Sequence, residues 1–188
     1  RGQQREAGEE EDGDGAGGRE HQTPGRCAER PTQVDHRLAA RHGGSLLLIA
    51  DHARAGEAAA ALGTAFGIAM HRGFTEIPNE SSDPLLFSAQ NGRLADHPIV
   101  TGDGKTTLVR RVMTYTGQSL DGPPGATVLL HLPDTAMEFV PVADSLEEQS
   151  AGPAQGLAFD WGNGRVVALG EAAMMTAQTH RGVPFGMN

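Results

Sequence analysis

Only one cysteine, Cys27, occurs in the 188 residues, so no disulfide can form within the chain. A scaffold stapled by bridges is excluded, and the count itself leaves the compartment open. No apolar run approaches the ~20 residues of a membrane-crossing helix. The first residues also lack the apolar core of a secretory signal. On this chain alone the expected compartment is cytoplasmic, and an export signal ahead of Arg1 would change that. Positive charge is in short supply too, with a formal net charge of −9. A field of that sign disfavours nonspecific binding to nucleic acid and to anionic membrane, so neither is an expected partner.

Large apolar residues are nearly missing from residues 1–42, where runs such as Glu9-Glu10-Glu11-Asp12-Gly13-Asp14-Gly15 dominate. Such a segment buries too little surface to offset its chain entropy and reads as a disordered low-complexity tail. An acidic interaction tail is the functional alternative, weakened by basic residues that nearly balance the acidic ones. Val34 to Ala40 reads as a short helical lead-in. Catalytic signatures are missing as well. Gly102-Asp103-Gly104-Lys105-Thr106-Thr107 imitates the end of a phosphate-binding loop, but the glycine needed five positions earlier is Ile99. A polar turn is the better reading. Neither a His-Glu-x-x-His pair nor a Gly-x-Ser-x-Gly elbow occurs.

What is present is organised around Gly43-Gly44-Ser45-Leu46-Leu47-Leu48-Ile49-Ala50-Asp51-His52. An unbroken apolar run opened by turn residues predicts a strand buried on both faces, as in the middle of an α/β sheet. Leu47 and Ile49 are therefore expected to be fully buried. Glu57 to Phe66 carries apolar residues at helical spacing, with Glu57 in its first turn and Gly67 placed to end it. Short strands are expected at Gly67–Met70 and Leu85–Phe87, with a long turn-rich loop between Arg72 and Asp83 and a tight turn at Asn91-Gly92. Val109 to Thr116 alternates as a strand does. Ala126–Leu132 and Ala136–Val142 are two more strands, separated by a turn at Pro133-Asp134. Asp144 to Pro153 reads as a polar loop. Leu157–Trp161 and Arg165–Leu169 flank Gly162-Asn163-Gly164, a strong hairpin signal. Gly170-Glu171 and a short helix to Gln178 follow. Trp161 reads as packing against the sheet, or, if exposed, as a sugar platform; Met174 and Met175 read as core or helix surface.

Several of these stretches resemble a known group. The Gly-Gly-Ser-Leu-Leu-Leu-Ile-Ala-Asp-His run, Asn-Gly-Arg-Leu-Ala-Asp-His-Pro-Ile, Tyr-Thr-Gly-Gln-Ser and Gly-Arg-Val-Val-Ala-Leu-Gly-Glu-Ala-Ala-Met are similar to an uncharacterised bacterial DUF4350-like family. The resemblance covers roughly residues 43–188. It implies a class I glutamine amidotransferase-like domain with a flavodoxin-like three-layer α/β sandwich and a mixed, mainly parallel sheet. Relatives carry further β-α units before the Gly-Gly-Ser strand and a final helix, so the resemblance implies a truncated domain and an incomplete sheet, plus the C-terminal β-hairpin. Amidotransferases of this fold use a cysteine nucleophile, whereas the only cysteine here lies in the tail. That chemistry does not carry over.

Polar residues just past the carboxyl ends of strands sit where open α/β sheets bind ligands. Asp51, His52, Gln118 and Glu171 all occupy such positions and are the candidate ligand-binding set. The expected function is a non-catalytic domain that binds a small ligand or a protein and needs no cofactor. The alternative is a metal-assisted hydrolase in which Asp51, His52 and Glu171 hold a divalent ion whose bound water attacks the substrate. The plainest reading makes Asp51 a helix cap or a partner of loop amides, with His52 bonding the loop.

Overall fold

The computed structural model describes residues 36–52, 56–80, 84–102, 108–175, 179–180 and 183–184. Val34–Asn188 is one compact unit. Cys27, most of the expected tail and the Asp103–Thr107 part of the phosphate-loop imitation lie outside the described residues.

The lead-in is a short helix, α1 (His36–Arg41), that packs on the strand after it, β1 (Ser45–Ile49). Residues 36–41 of the expected tail are thus folded, with Ala40 buried. The reversal between α1 and β1 needs two glycines. Gly43 adopts φ +103°, and a Cβ on Gly44 would lie 2.7 Å from the Ala39 carbonyl oxygen. Helix α2 (Glu57–Ala65) follows, and Gly67, at φ +76°, turns the chain away from it while donating to the Thr64 carbonyl. Short strands β2 (Ala69–Met70), β3 (Phe74–Glu76) and β4 (Leu85–Ser88) come next. The turn at Asn91-Gly92 is held by Asn91, whose Oδ1 accepts from the Ser88 and Arg93 amides. A one-turn helix, α3 (Pro98–Thr101), is capped by His97, whose Nδ1 accepts from the Ile99 amide at 3.2 Å. The remaining elements are β5 (Arg111–Thr114), β6 (Leu120–Asp121), β7 (Thr127–His131), β8 (Met137–Val142), β9 (Ser145–Ser150), β10 (Ala154–Trp161), β11 (Gly164–Leu169) and a 3-10 turn at Ala173–Met175. A two-residue hairpin pair, β12 (Thr179–His180) and β13 (Val183–Pro184), closes the described chain.

The main sheet has six strands in the order β1-β11-β10-β6-β2, with β7 also pairing to β10. This is a mixed α/β protein, and it is mostly β. The expected hairpin is present, with Trp161 opposite Gly164 in the β10–β11 ladder. Two expectations need correction. The sheet is mixed but not mainly parallel, because β1–β11 is the one parallel pair among the described residues. β1 is also not central. It lies at the sheet edge, Leu47 is 53 % exposed, Ile49 is half-buried, and β10 occupies the middle. β9 is a further departure, a fully exposed strand where the sequence reads as a polar loop. It pairs with β8 over six residue pairs. With both faces in solvent it has no apolar period to betray it.

Strand alternation divides the apolar side chains between two cores. Leu48, Ala50, Val166, Ala168 and Leu157 lie on the face under α2, together with Phe66 and Ile68. Trp161 belongs to this packing. Its ring meets Phe66 edge-on at 5.2 Å and carries the Arg37 guanidinium 5.5 Å from its centroid. On the opposite face Ala158, Leu129 and Leu130 pack with Leu85, Phe87 and Val100. There, among the described residues, the cover consists of the antiparallel β4–β5 pair and α3, not a layer of helices. It stops short of β1. Among the described residues no helix is long and apolar enough to cross a membrane.

Candidate functional site

Thr114-Tyr115-Thr116-Gly117-Gln118-Ser119 runs from β5 to β6 and passes the carboxyl ends of β1 and β11. It is almost wholly buried and largely irregular, so its backbone groups need partners other than a regular ladder. Four buried side chains supply many of them. Glu171 accepts the Tyr115 and Thr116 amides through Oε2, both at 3.0 Å, and the Ala173 amide through Oε1 at 2.7 Å. Glu138 accepts the Gly73 amide on Oε1 and the Thr75 hydroxyl and Ser119 amide on Oε2, each at 2.9 Å. Gln155 donates to the Gly117 carbonyl at 2.9 Å and accepts from the Thr114 hydroxyl at 2.7 Å. Gln118 donates through Nε2 to the Asp51 backbone carbonyl and accepts the Arg72 amide.

The parallel β1–β11 pair brings Asp51 and Glu171 to one end of the sheet, since Ile49 stands opposite Leu169 and each acid lies two residues further on. Gln118 joins them, with its own amide on the Gly170 carbonyl at 2.8 Å. The space is tight: a Cβ on Gly56 would fall 2.3 Å from the Asp51 carbonyl oxygen, and one on Gly170 would fall 2.2 Å from that of Gln118. His52 stands apart. Its side chain is 40 % exposed, and Nε2 lies 3.9 Å from Asp51 Oδ1, beyond hydrogen-bond reach. Asp51 Oδ1 instead accepts the His52 backbone amide at 2.8 Å.

Three of the four candidates therefore meet, and two of them are occupied by the fold itself. Both carboxylate oxygens of Glu171 and both ends of the Gln118 amide are engaged with backbone. Asp51 and His52 remain partly open to solvent. Among the described residues no three His, Cys, Asp or Glu side chains are grouped so as to hold a metal ion. Asp51, His52 and Glu171 thus do not form the ligand cluster that the metal alternative calls for. The sequence reading missed Glu138, Gln155 and Thr75, which are as buried as Glu171. Glu138 did leave a signal: it is the one charge inside the apolar run Ala136-Met137-Glu138-Phe139-Val140.

Burial pushes the Glu171 carboxyl above the ordinary carboxylate range, the Tyr115, Ala173 and Thr116 amides pull it back, and the nearby Asp51 carboxylate pushes it further up. The folded state accordingly binds this proton more readily than the unfolded chain does. The contribution to stability is fully present below the unfolded carboxylate value, about 4.3 for Glu. It is lost as pH rises through the raised folded value, and is flat above it. Urea midpoints measured against pH should show this decline in the native protein. Glu171→Gln should flatten that part of the profile while lowering stability overall, because its amide nitrogen turns a donor toward a backbone amide. An unchanged profile in the variant would show that Glu171 titrates as it does in the unfolded chain.

No family model matches the chain, and no curated protein matches it.

A separate concavity lies away from this cluster. A groove of about 1170 Å³ crosses the sheet face opposite α2, lined chiefly by apolar side chains including Leu47, Val112, Leu129, Val167 and Met174. Ile99 and Met175 stand at its rim, 49 % and 60 % exposed. The groove exists because the β4–β5 pair and α3 cover only part of that face.

Proposed function

We propose that this chain is a non-catalytic binding domain of the glutamine amidotransferase-like superfamily that takes an apolar small molecule in the groove. The observation that carries the reading is the groove itself, with Leu47, Ile99 and Met175 left exposed along it. Binding sites for small molecules are concave and mainly apolar, with a few polar groups at the margin; here His97, Asp160 and Arg165 fill that place. A contiguous apolar surface on a folded chain is itself a mark of a binding site. What supports the superfamily reading is the parallel β1–β11 pair with acidic residues past both carboxyl ends. The flavodoxin-like layering belongs to the same proposal. Relative to the expected location, the receptive surface moves from the carboxyl edge to the sheet face, because Gln118 and Glu171 are consumed by the fold.

The test uses 1-anilinonaphthalene-8-sulfonate with the folded protein. Saturable fluorescence enhancement is expected, with Ile99→Glu combined with Met175→Glu weakening it about tenfold or more at unchanged melting temperature, the scale of burying a pair of apolar side chains. Equal probe affinity in the variant would remove the groove as the site. Stoichiometric zinc or manganese in the purified protein, lost in Asp51→Asn, would instead favour the metal-assisted hydrolase of Asp51, His52 and Glu171.

A further inference from the structure

We infer that the groove selects a single-chain amphiphile with an uncharged, hydroxyl-bearing head, an inference that rests on the groove reading and names its class of ligand. The head lies between Arg165 and Asp160, and the chain runs along Val167 and Leu169. The strand registers order the groove floor into rows. Ser45, Arg165 and Asp160 stand opposite one another in the first row, Leu47, Val167 and Ala158 in the second, and Ile49, Leu169 and Gly156 in the third. Val167, Leu169 and Ala158 pack into the core on the groove side. Alternation along each strand puts Arg165 and Asp160 on that side as well. The floor is thus polar at the amino end of β1 and apolar toward its carboxyl end.

The three rows span about 13 Å, four residues of strand. Met174 and Met175, which follow β11, extend the apolar lining. That length and that polarity suit one alkyl chain with one polar end. A wholly apolar ligand lying over the first row would strip water from Arg165 and Asp160 and replace none of its hydrogen bonds.

The first row decides the head. Arg165 and Asp160 are exposed, and among the described residues neither joins an ion pair. The Arg165 side chain offers donors only, and the Asp160 carboxylate acceptors only. His97, also in the lining, accepts the Ile99 amide on Nδ1, so its ring is neutral and Nε2 carries the proton. The lining therefore holds one positive and one negative charge, which cancel. A carboxylate or ammonium head would be drawn by one of the pair and opposed by the other. A hydroxyl both donates and accepts, so a head with two of them serves Asp160 and Arg165 together. The net charge of −9 adds to the case against an anion.

Monooctanoylglycerol, octanoate and octyltrimethylammonium share a chain length and differ in the head. Isothermal titration calorimetry of the full chain, below the micellar concentration of each, is expected to rank the glycerol head first. Its Kd should be lower by about tenfold, the scale of one hydrogen bond to a charged group. Asp160→Asn should bring octanoate level with monooctanoylglycerol or past it, and Arg165→Gln should do the same for octyltrimethylammonium. Both side chains are exposed, so the melting temperature should hold in each variant. A native preference for either charged head would overturn the inference, as would variants that keep the native order. Enhancement of 1-anilinonaphthalene-8-sulfonate fluorescence is read separately. If it persists while the three heads bind alike, the groove binds and the head assignment fails. If the probe and all three amphiphiles are silent, the groove reading fails with it.

Discussion

Glu138→Ala is expected to bring the folded unit close to unfolding at neutral pH. The side chain is fully buried and forms no ion pair among the described residues, yet its two oxygens accept from Gly73, Thr75 and Ser119. Truncation leaves two backbone amides and a hydroxyl without partners in a place that a carboxylate filled. Each orphaned buried donor costs about 1–3 kcal/mol. Three of them together approach the ~5–15 kcal/mol that holds an ordinary domain folded. The damage is not local, because Gly73 and Thr75 belong to the β3 approach and Ser119 leads into β6. Urea denaturation followed by far-UV circular dichroism should show a midpoint displaced by several kcal/mol, or no cooperative transition. Glu138→Gln keeps the shape and one oxygen, so it should lose about 1–3 kcal/mol, the scale of one mismatched donor. An alanine variant within about 1 kcal/mol of the native protein would mean that water replaces the carboxylate at little cost.

How much of this was legible in the residues depends on the range of the interaction. Short-range features read correctly. Gly162-Asn163-Gly164 makes the hairpin, Gly67 ends α2 at positive φ, and Asn91-Gly92 turns the chain, because each is decided by local backbone sterics. The meeting of Asp51 with Glu171 was also legible, since each follows an apolar strand that the parallel pairing sets side by side. The rank of β1 in the sheet was not. An all-apolar run shows that both faces avoid water, and it does not show which neighbours provide the cover. In Leu46-Leu47-Leu48-Ile49 one face lies under α2 and the other opens on the groove. β9 was illegible for the opposite reason: it pairs through backbone alone, and its side chains carry no record of it.

The buried clamp around residues 114–119 shows why a candidate site can be placed correctly and still be misjudged. Asp51, Gln118 and Glu171 sit where ligands bind in open α/β sheets, and the same polar atoms also serve an irregular buried segment. Sequence position cannot separate these roles. Hydrogen-bond counting can, because a carboxylate accepting three amides has little capacity left for a ligand. Glu138 and Gln155 repeat the solution from other strands, so the clamp is a structural device of which the candidate cluster is one part.

Gly170→Ala should be nearly as damaging as the loss of Glu138, although it adds only a methyl group. The new Cβ would sit 2.2 Å from the Gln118 carbonyl oxygen, a backbone atom that cannot swing aside as a side chain would. Relief requires the 114–119 segment to move away from β11. That motion stretches the Gln118 amide bond to the Gly170 carbonyl, now 2.8 Å, and the Gln155 side-chain bond to the Gly117 carbonyl, now 2.9 Å. It also draws Tyr115 and Thr116 off Glu171, leaving a buried carboxylate short of donors. Overpacking alone costs about 1–3 kcal/mol, and each buried hydrogen bond broken adds about 1 kcal/mol or more. Gly125→Ala is the matched control: its Cβ would meet nothing within 4 Å, but its φ of +84° makes alanine strained. There the cost should be only the ~1–2 kcal/mol of a left-handed residue. Chemical denaturation of the two variants should therefore separate them by several kcal/mol. Equal losses would show that the contact between β11 and the 114–119 segment yields without cost, and that the clamp is looser than its hydrogen bonds imply.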